Sequence, residues 1–203
     1  MGDSASAKIS RVCWARRDVL RVALGTGLAL PIACVLPSMA AARADDPRSA
    51  RPQAGDQFVF AAGQQSGKTV TPGDVLAGGP PITAFPGDSR TGLPRDGSRL
   101  NQVLVIRLGP DELSEETRGR AADGIVAYSG VCTHEGCDVT IWKPEVKRLG
   151  YPCHESEFDP RDGARVVGGP APRRLPAVPL GIVEGALTAT GGFSSRPGSQ
   201  AGG

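Results

Sequence analysis

Two short stretches of this chain hold almost all of its soft-donor chemistry. The first reads Cys132-Thr133-His134-Glu135-Gly136-Cys137, and the second Pro152-Cys153-His154-Glu155-Ser156-Glu157-Phe158-Asp159. The chain has 2 histidines, and both lie here, each within two residues of a cysteine. Of the 5 cysteines, the three outside the N-terminal apolar segment lie here too. Thiolate and imidazole suit zinc, copper and iron rather than calcium or magnesium. The pattern therefore points to a metal centre with Cys132, His134, Cys153 and His154 as candidate ligands. By composition this is also a Cys₂His₂ set able to hold a single zinc ion. No nucleophile paired with a base is visible, so a self-contained enzyme is not expected.

The elements that must position these loops read as short strands. Gln57–Ala61 is a brief apolar stretch. Gln102–Leu108 is β-branched, apolar and stopped by Gly109-Pro110, the strongest strand in the chain. Ile125–Tyr128 delivers the chain to Cys132, and Val139–Trp142 with Val146–Leu149 forms a hairpin between the two loops. Arg165–Val167, Ala177-Val178, Ile182-Val183 and Leu187-Thr188 complete the set. Residues 62–100 are rich in turn signals, among them Pro80-Pro81, Pro86-Gly87-Asp88 and Arg95-Asp96-Gly97. Asp96-Gly97 is compatible with a hairpin or with one bend in a long loop. Pro110–Leu113 reads as one helical turn, Ser114–Ala122 as a charged surface loop and Asp159–Gly163 as a turn. Many short strands with regular turns predict an all-β fold, a small antiparallel sandwich or barrel carrying two metal-binding loops.

Composition agrees: 28 Gly and 18 Pro with only 4% aromatic residues fit a small β domain with long loops. The formal charge of +2 arises at the front, where residues 1–42 hold five basic and two acidic groups. The nearly neutral remainder gives no basic footprint for nucleic acid. Residues 1–44 read as an export signal: a basic stretch ending in Arg16-Arg17-Asp18-Val19-Leu20-Arg21, an apolar run, then small residues at 40–44. The paired arginines resemble a twin-arginine signal. Residues 19–42 are also long enough to serve as a membrane anchor. Either outcome predicts a periplasmic location, free or held at the inner membrane. Cys13 and Cys34 fall in this segment as bystanders. Residues 45–100 are expected to be a tether and a loop-rich part, 101–190 the metal-binding domain and 191–203 a disordered tail.

The paired loops resemble the Rieske family, whose pattern is Cys-x-His, fifteen to seventeen residues, then Cys-x-x-His. The likeness extends to Gly136-Cys137, to Ser156 two residues after His154, and to Gly169-Pro170-Ala171-Pro172, similar to the proline loop covering the family's cluster. It spans about Val103 to Leu187. The resemblance implies a [2Fe–2S] cluster with cysteines on one iron and histidines on the other, its potential raised because neutral imidazoles replace thiolates. It also implies a hydroxyl from Ser156 toward a bridging sulfide. A redox partner is implied as well, a cytochrome c or a larger oxidoreductase subunit fed by quinol or a dehydrogenase.

One ligand position departs from the pattern. Where the family has Cys-Pro-Cys-His, this chain has Tyr151-Pro152-Cys153-His154, so Cys153 stands where the bc1 branch keeps the disulfide partner of Cys137. Three outcomes are open. Cys153 turns inward as the substitute thiolate; Tyr151 ligates through its phenolate; or no cluster forms and a Cys137–Cys153 disulfide leaves a structural or interaction subunit. Phe158 replaces a tyrosine common in quinol-oxidising members, which predicts a potential low in the family's range.

Other conspicuous residues read as structural. Trp142 and Tyr128 are expected to be packing residues, and Arg173-Arg174 a solvated pair. The stretch from Gly63 to Thr69 is one residue short of a phosphate-binding loop and lacks the strand-to-helix context. Glu135, Glu155 and Glu157 would give the centre an acidic rim able to steer a cationic partner.

Overall fold

The computed structural model describes residues 46–199. The export signal or anchor, with Cys13 and Cys34, lies outside the described residues. No helix among the described residues is long and apolar enough to cross a membrane.

Among the described residues there are, besides five 3-10 turns, eleven short strands and one α-helical turn. In order they are β1 (Gln57–Phe60), β2 (Ile82–Gly87), β3 (Val103–Arg107), α1 (Glu115–Arg118), β4 (Ile125–Ser129), β5 (Ile141–Lys143), β6 (Arg148–Gly150), β7 (Glu157–Asp159), β8 (Arg165–Gly168), β9 (Ala177–Val178), β10 (Leu180–Val183) and β11 (Ala186–Ala189). Every strand pair is antiparallel. Seven strands form one sheet in the order β10-β11-β1-β2-β3-β4-β9, and β5-β6-β7-β8 form a smaller one. The expectation of an all-β fold is met.

The large sheet is nearly a closed barrel, and the chain shows how. Its two edge strands, β9 and β10, are consecutive in sequence, separated by Pro179 alone. One stretch of chain thus pairs with β4 on one side of the sheet and with β11 on the other. Pro179 has no N–H to offer a ladder, so the switch falls where a donor would be lost in any case. Closure removes the exposed edges on which another chain could template.

The apolar run of β3 follows from burial on both faces. Val103 and Val105 point into one core with Phe58, Ile125, Ala127, Val178 and Leu187. Leu104 and Ile106 point into a second core with Val126, Tyr128, Leu149, Phe158 and Leu175. Alternate residues serve alternate layers, as the period of a strand requires. The second core joins the barrel to the small sheet, and Cys132 and Tyr151 are members of it. Tyr128 is core, as expected, and its hydroxyl donates to the Pro160 carbonyl at 2.8 Å. Trp142 packs against the same core.

The barrel does not begin at residue 101: β1 and β2 are built into the large sheet. The charged stretch before them, read as a tether, is tied down as well. Arg48 pairs with Asp96, and the buried Asn101 amide donates to the Ala50 carbonyl at 2.8 Å. Arg95 and Asp56 form a buried bidentate pair at 2.7 and 2.8 Å.

The Gly/Ser-rich tail, expected to be disordered, is held as far as Gly198. Ser194 N donates to Ala177 O, its hydroxyl accepts from Ala177 N, and Gly198 packs against Leu100 and Val131. These bonds are specific, and composition carries no sign of them.

Candidate metal centre

The two ligand loops are short and backbone-locked. The first leaves β4 and closes on itself: Cys132 N donates to Cys137 O and Val139 N to Gly130 O, both at 2.8 Å. Gly136 makes the turn at φ +77°, a left-handed conformation that favours glycine. From outside, Arg99 pairs with Asp138 and donates to the Gly136 carbonyl. The second loop runs from β6 to β7, with Glu155 in the left-handed region at φ +56°. A non-glycine residue held there is uncommon and marks a constrained turn.

The proline loop fastens both. Ala171 N donates to Ser156 Oγ at 3.0 Å, and the Thr133 hydroxyl donates to the Arg173 carbonyl at 2.6 Å. Ser156 and Thr133 are both buried. Sequence reasoning found Ser156 but missed Thr133 and Arg99. Thr133 lies inside the Cys132–Cys137 motif, whereas Arg99 is far upstream and carries no local signal. The paired arginines are not a free solvated pair. Arg173 donates to the carbonyls of Arg196 and Gly198 at 2.7 Å each, while Arg174 pairs with Glu116.

The side chains converge. The two imidazoles meet edge to face with ring centroids 4.8 Å apart. Between them lies the hydroxyl of Tyr151, 3.1 Å from His134 Nδ1 and 3.4 Å from His154 Nδ1. The Cys132 sulfur accepts from the His134 amide at 3.4 Å. Tyr151 is 1% exposed, and Cys132 is fully buried. Burial pushes the Cys132 thiol up, against a pull downward from the His134 amide and Tyr151. Burial also pushes the Tyr151 phenol up, with the neighbouring Ser156 hydroxyl pulling it down. His154 is exposed, and its Nε2 lies 3.6 Å from Glu135. Nitrogens of the two histidines and a Glu135 oxygen all fall within 4.8 Å of one another.

Cys153 stands apart. It is exposed on the second loop and lies against Cys137, whose thiol it pushes up. Of the sequence-predicted set, the structure thus gathers Cys132, His134 and His154 and adds Tyr151, while Cys153 faces Cys137.

Residues 100–179 match the family model of the Rieske [2Fe–2S] domain. These residues are a Rieske domain. The chain is 41% identical over 98 residues to the cytochrome bc1 complex Rieske iron-sulfur subunit of Streptomyces lividans, covering 47% of this chain and 58% of that one. It is 40% identical over 126 residues to a Haloferax mediterranei protein named for a respiratory nitrate reductase Rieske subunit, covering 61% and 54%. Among solved structures, a chain of a hyperthermophilic respiratory Complex III aligns with a TM-score of 0.40 and 25% identity over 58% of this chain and 70% of that one. The chain spans between 28% and 58% of the length of the first three curated relatives it matches.

The family's domain carries a [2Fe–2S] cluster, and the donors here suit iron. Cys132, His134 and His154 occupy three of the four positions the resemblance assigns to ligands. The fourth holds an oxygen, that of Tyr151, aimed at the same point. Two imidazoles, a thiol and a phenol form a mixed set of the kind that binds first-row transition metals.

Proposed function

We propose that this protein is the Rieske-type iron–sulfur subunit of an exported oxidoreductase, passing single electrons between a quinol or a dehydrogenase and a cytochrome. One observation carries the reading: two loops bring Cys132, His134 and His154 together at the end of a rigid β scaffold, with His154 at the surface. A cluster bound there would supply one-electron chemistry. The chain's own part is to hold its donors still and keep water from the inner ones. Thr133, Ser156 and the proline loop lock the two loops against each other. The exposed His154 edge is the port for electrons, because coupling to a partner needs a short path through the surface. Glu135 beside it gives a negative rim that would steer a cationic partner such as a cytochrome c, weakly and with salt sensitivity. The family likeness and the export-type leader in residues 1–44 together support a periplasmic site of action, either free or anchored through residues 19–42.

A second reading is favoured by the contact between Cys137 and Cys153. An exported protein permits that pair to close as a disulfide, leaving a Rieske-fold subunit that acts by interaction alone. Iron and sulfide analysis of the full chain, expressed with its leader and isolated anaerobically, separates the two. Iron and acid-labile sulfide in equal amounts, with a rhombic EPR signal on reduction, are expected. A protein with neither metal nor sulfide would sink the electron-transfer reading, and zinc alone would replace it with a mononuclear site. Fractionation of cells then locates the protein in the periplasm or the membrane.

A further inference from the structure

Tyr151 takes a cysteine's place in the family pattern, yet its side chain is much longer than a thiol. The structure shows where the extra length goes. The ring is buried in the core shared with Leu149 and Phe158, and the hydroxyl emerges between the two imidazoles. Both imidazoles turn the same atom, Nδ1, toward it. A phenol has one proton, so it can donate to only one of these nitrogens, and the other must supply its own. An ion in the gap would satisfy all three at once. The phenol oxygen lies 3.1 and 3.4 Å from the two Nδ1 atoms, so all three donors face one point.

We propose that Tyr151 is an iron ligand, binding through its phenolate oxygen at the centre that Cys132, His134 and His154 surround. The inference rests on the reading of the site as an iron centre and goes beyond it in naming the ligand. Coordination replaces the phenol proton with the metal, and that proton leaves to water; no electrons move. Cys132, buried and accepting from the His134 amide, stays on the inner side as the one thiolate of the set. Ser156, whose Oγ already accepts from Ala171 N, keeps its own O–H free for a further acceptor. Cys153 is not needed as a ligand, which leaves it against Cys137.

The test uses the full chain reconstituted anaerobically with ferrous iron and sulfide, then oxidised. Wild type is expected to show a visible phenolate-to-iron charge-transfer band. Resonance excitation into that band should enhance tyrosine ring modes. Tyr151→Phe keeps the buried ring and removes only the oxygen; it should lose the band and bind iron at least about tenfold more weakly. Cys153→Ser should change neither. The chain has 2 tyrosines, so Tyr128→Phe serves as the control that leaves the ring modes in place. The wild-type Raman measurement decides the matter even if Tyr151→Phe folds poorly. The proposal is overturned by wild type that takes up no iron or lacks phenolate modes. It is equally overturned by Tyr151→Phe with unchanged spectrum and affinity, or by loss of iron in Cys153→Ser. Phenolate modes without sulfide would retain the ligand and remove the cluster reading. Iron and sulfide without phenolate modes would do the reverse.

Discussion

Gly169 sits in the left-handed region at φ +77°, and a Cβ there would stand 2.4 Å from Ser156 Cα. Gly67 has nearly the same φ, +79°, with nothing within 4 Å of the same point. The pair separates two costs that a glycine usually merges. Gly67→Ala should cost only the left-handed penalty, about 1–2 kcal/mol. Gly169→Ala must also push the proline loop off the second ligand loop and break the Ala171 N–H to Ser156 Oγ bond. A buried N–H left without a partner costs about 1–3 kcal/mol, so Gly169→Ala should exceed Gly67→Ala by roughly 2 kcal/mol or more in denaturant unfolding. Equal losses would mean the proline loop is not pressed on Ser156. At this scale the site was largely legible in the sequence. Cys132, His134, Cys153 and His154 stand out by type and spacing and Ser156 only by the family likeness, while the placing of Cys153 against Cys137 depends on the path of its loop. Tyr151 was visible as a departure, but where its hydroxyl points depends on a long side chain's path through a core, which no spacing rule encodes.

Among the strands, legibility followed burial. β3 and β4 lie between two cores, so their runs are apolar throughout and read directly from sequence. β2 did not, because it ends in Phe85-Pro86-Gly87, which reads as a turn. The structure tolerates Pro86 there because β3 pairs only with Ile82, Thr83 and Ala84, leaving no β3 ladder bond for a proline to break. The arm before β1 was misread for another reason: its anchors are polar and distant in sequence. Arg95 and Asp56 are 6% and 3% exposed and bonded in two places. Removing one partner from such a pair leaves an uncompensated buried charge, a loss of about 3–5 kcal/mol. Arg95→Leu should therefore destabilise the full chain by that order. Adding Asp56→Leu to it should recover part of the loss, since the stranded carboxylate is gone. Chemical denaturation of the two single variants and the double variant gives the coupling. Additive losses would mean the pair is not a unit, and the arm would then be only loosely held.

For the molecule as a whole, closure of the barrel through β9 and β10 and the clamp of Arg173 on the tail were hidden from sequence, since both depend on strand order rather than composition. The small sheet adds a property that titration can test. Glu157 on β7 is flanked by Lys143 on β5 and Arg148 on β6. Hydrogen bonds from Lys143, then Arg148, hold its carboxyl below the usual carboxylate range. A carboxylate depressed in the folded state binds fewer protons than in the unfolded chain near its ordinary value. Its stabilisation is therefore complete above that value and drains away as pH falls through the ordinary range toward the folded one. Asp96, Glu112 and Asp159 are held low as well, by Arg48, by Lys147 and by Arg161 acting against burial. All four act in one direction, so stability should be flat near neutrality and fall on the acid side. Glu157→Gln mimics the protonated carboxyl, so variant and wild type should differ most near neutral pH and converge as pH drops below the ordinary carboxylate range. Both cations are more than a third exposed, so added salt should shrink the gap. Thermal unfolding from pH 7 downward checks this. Curves that stay parallel across the acid range would show that the Lys143–Glu157–Arg148 cluster contributes nothing through charge.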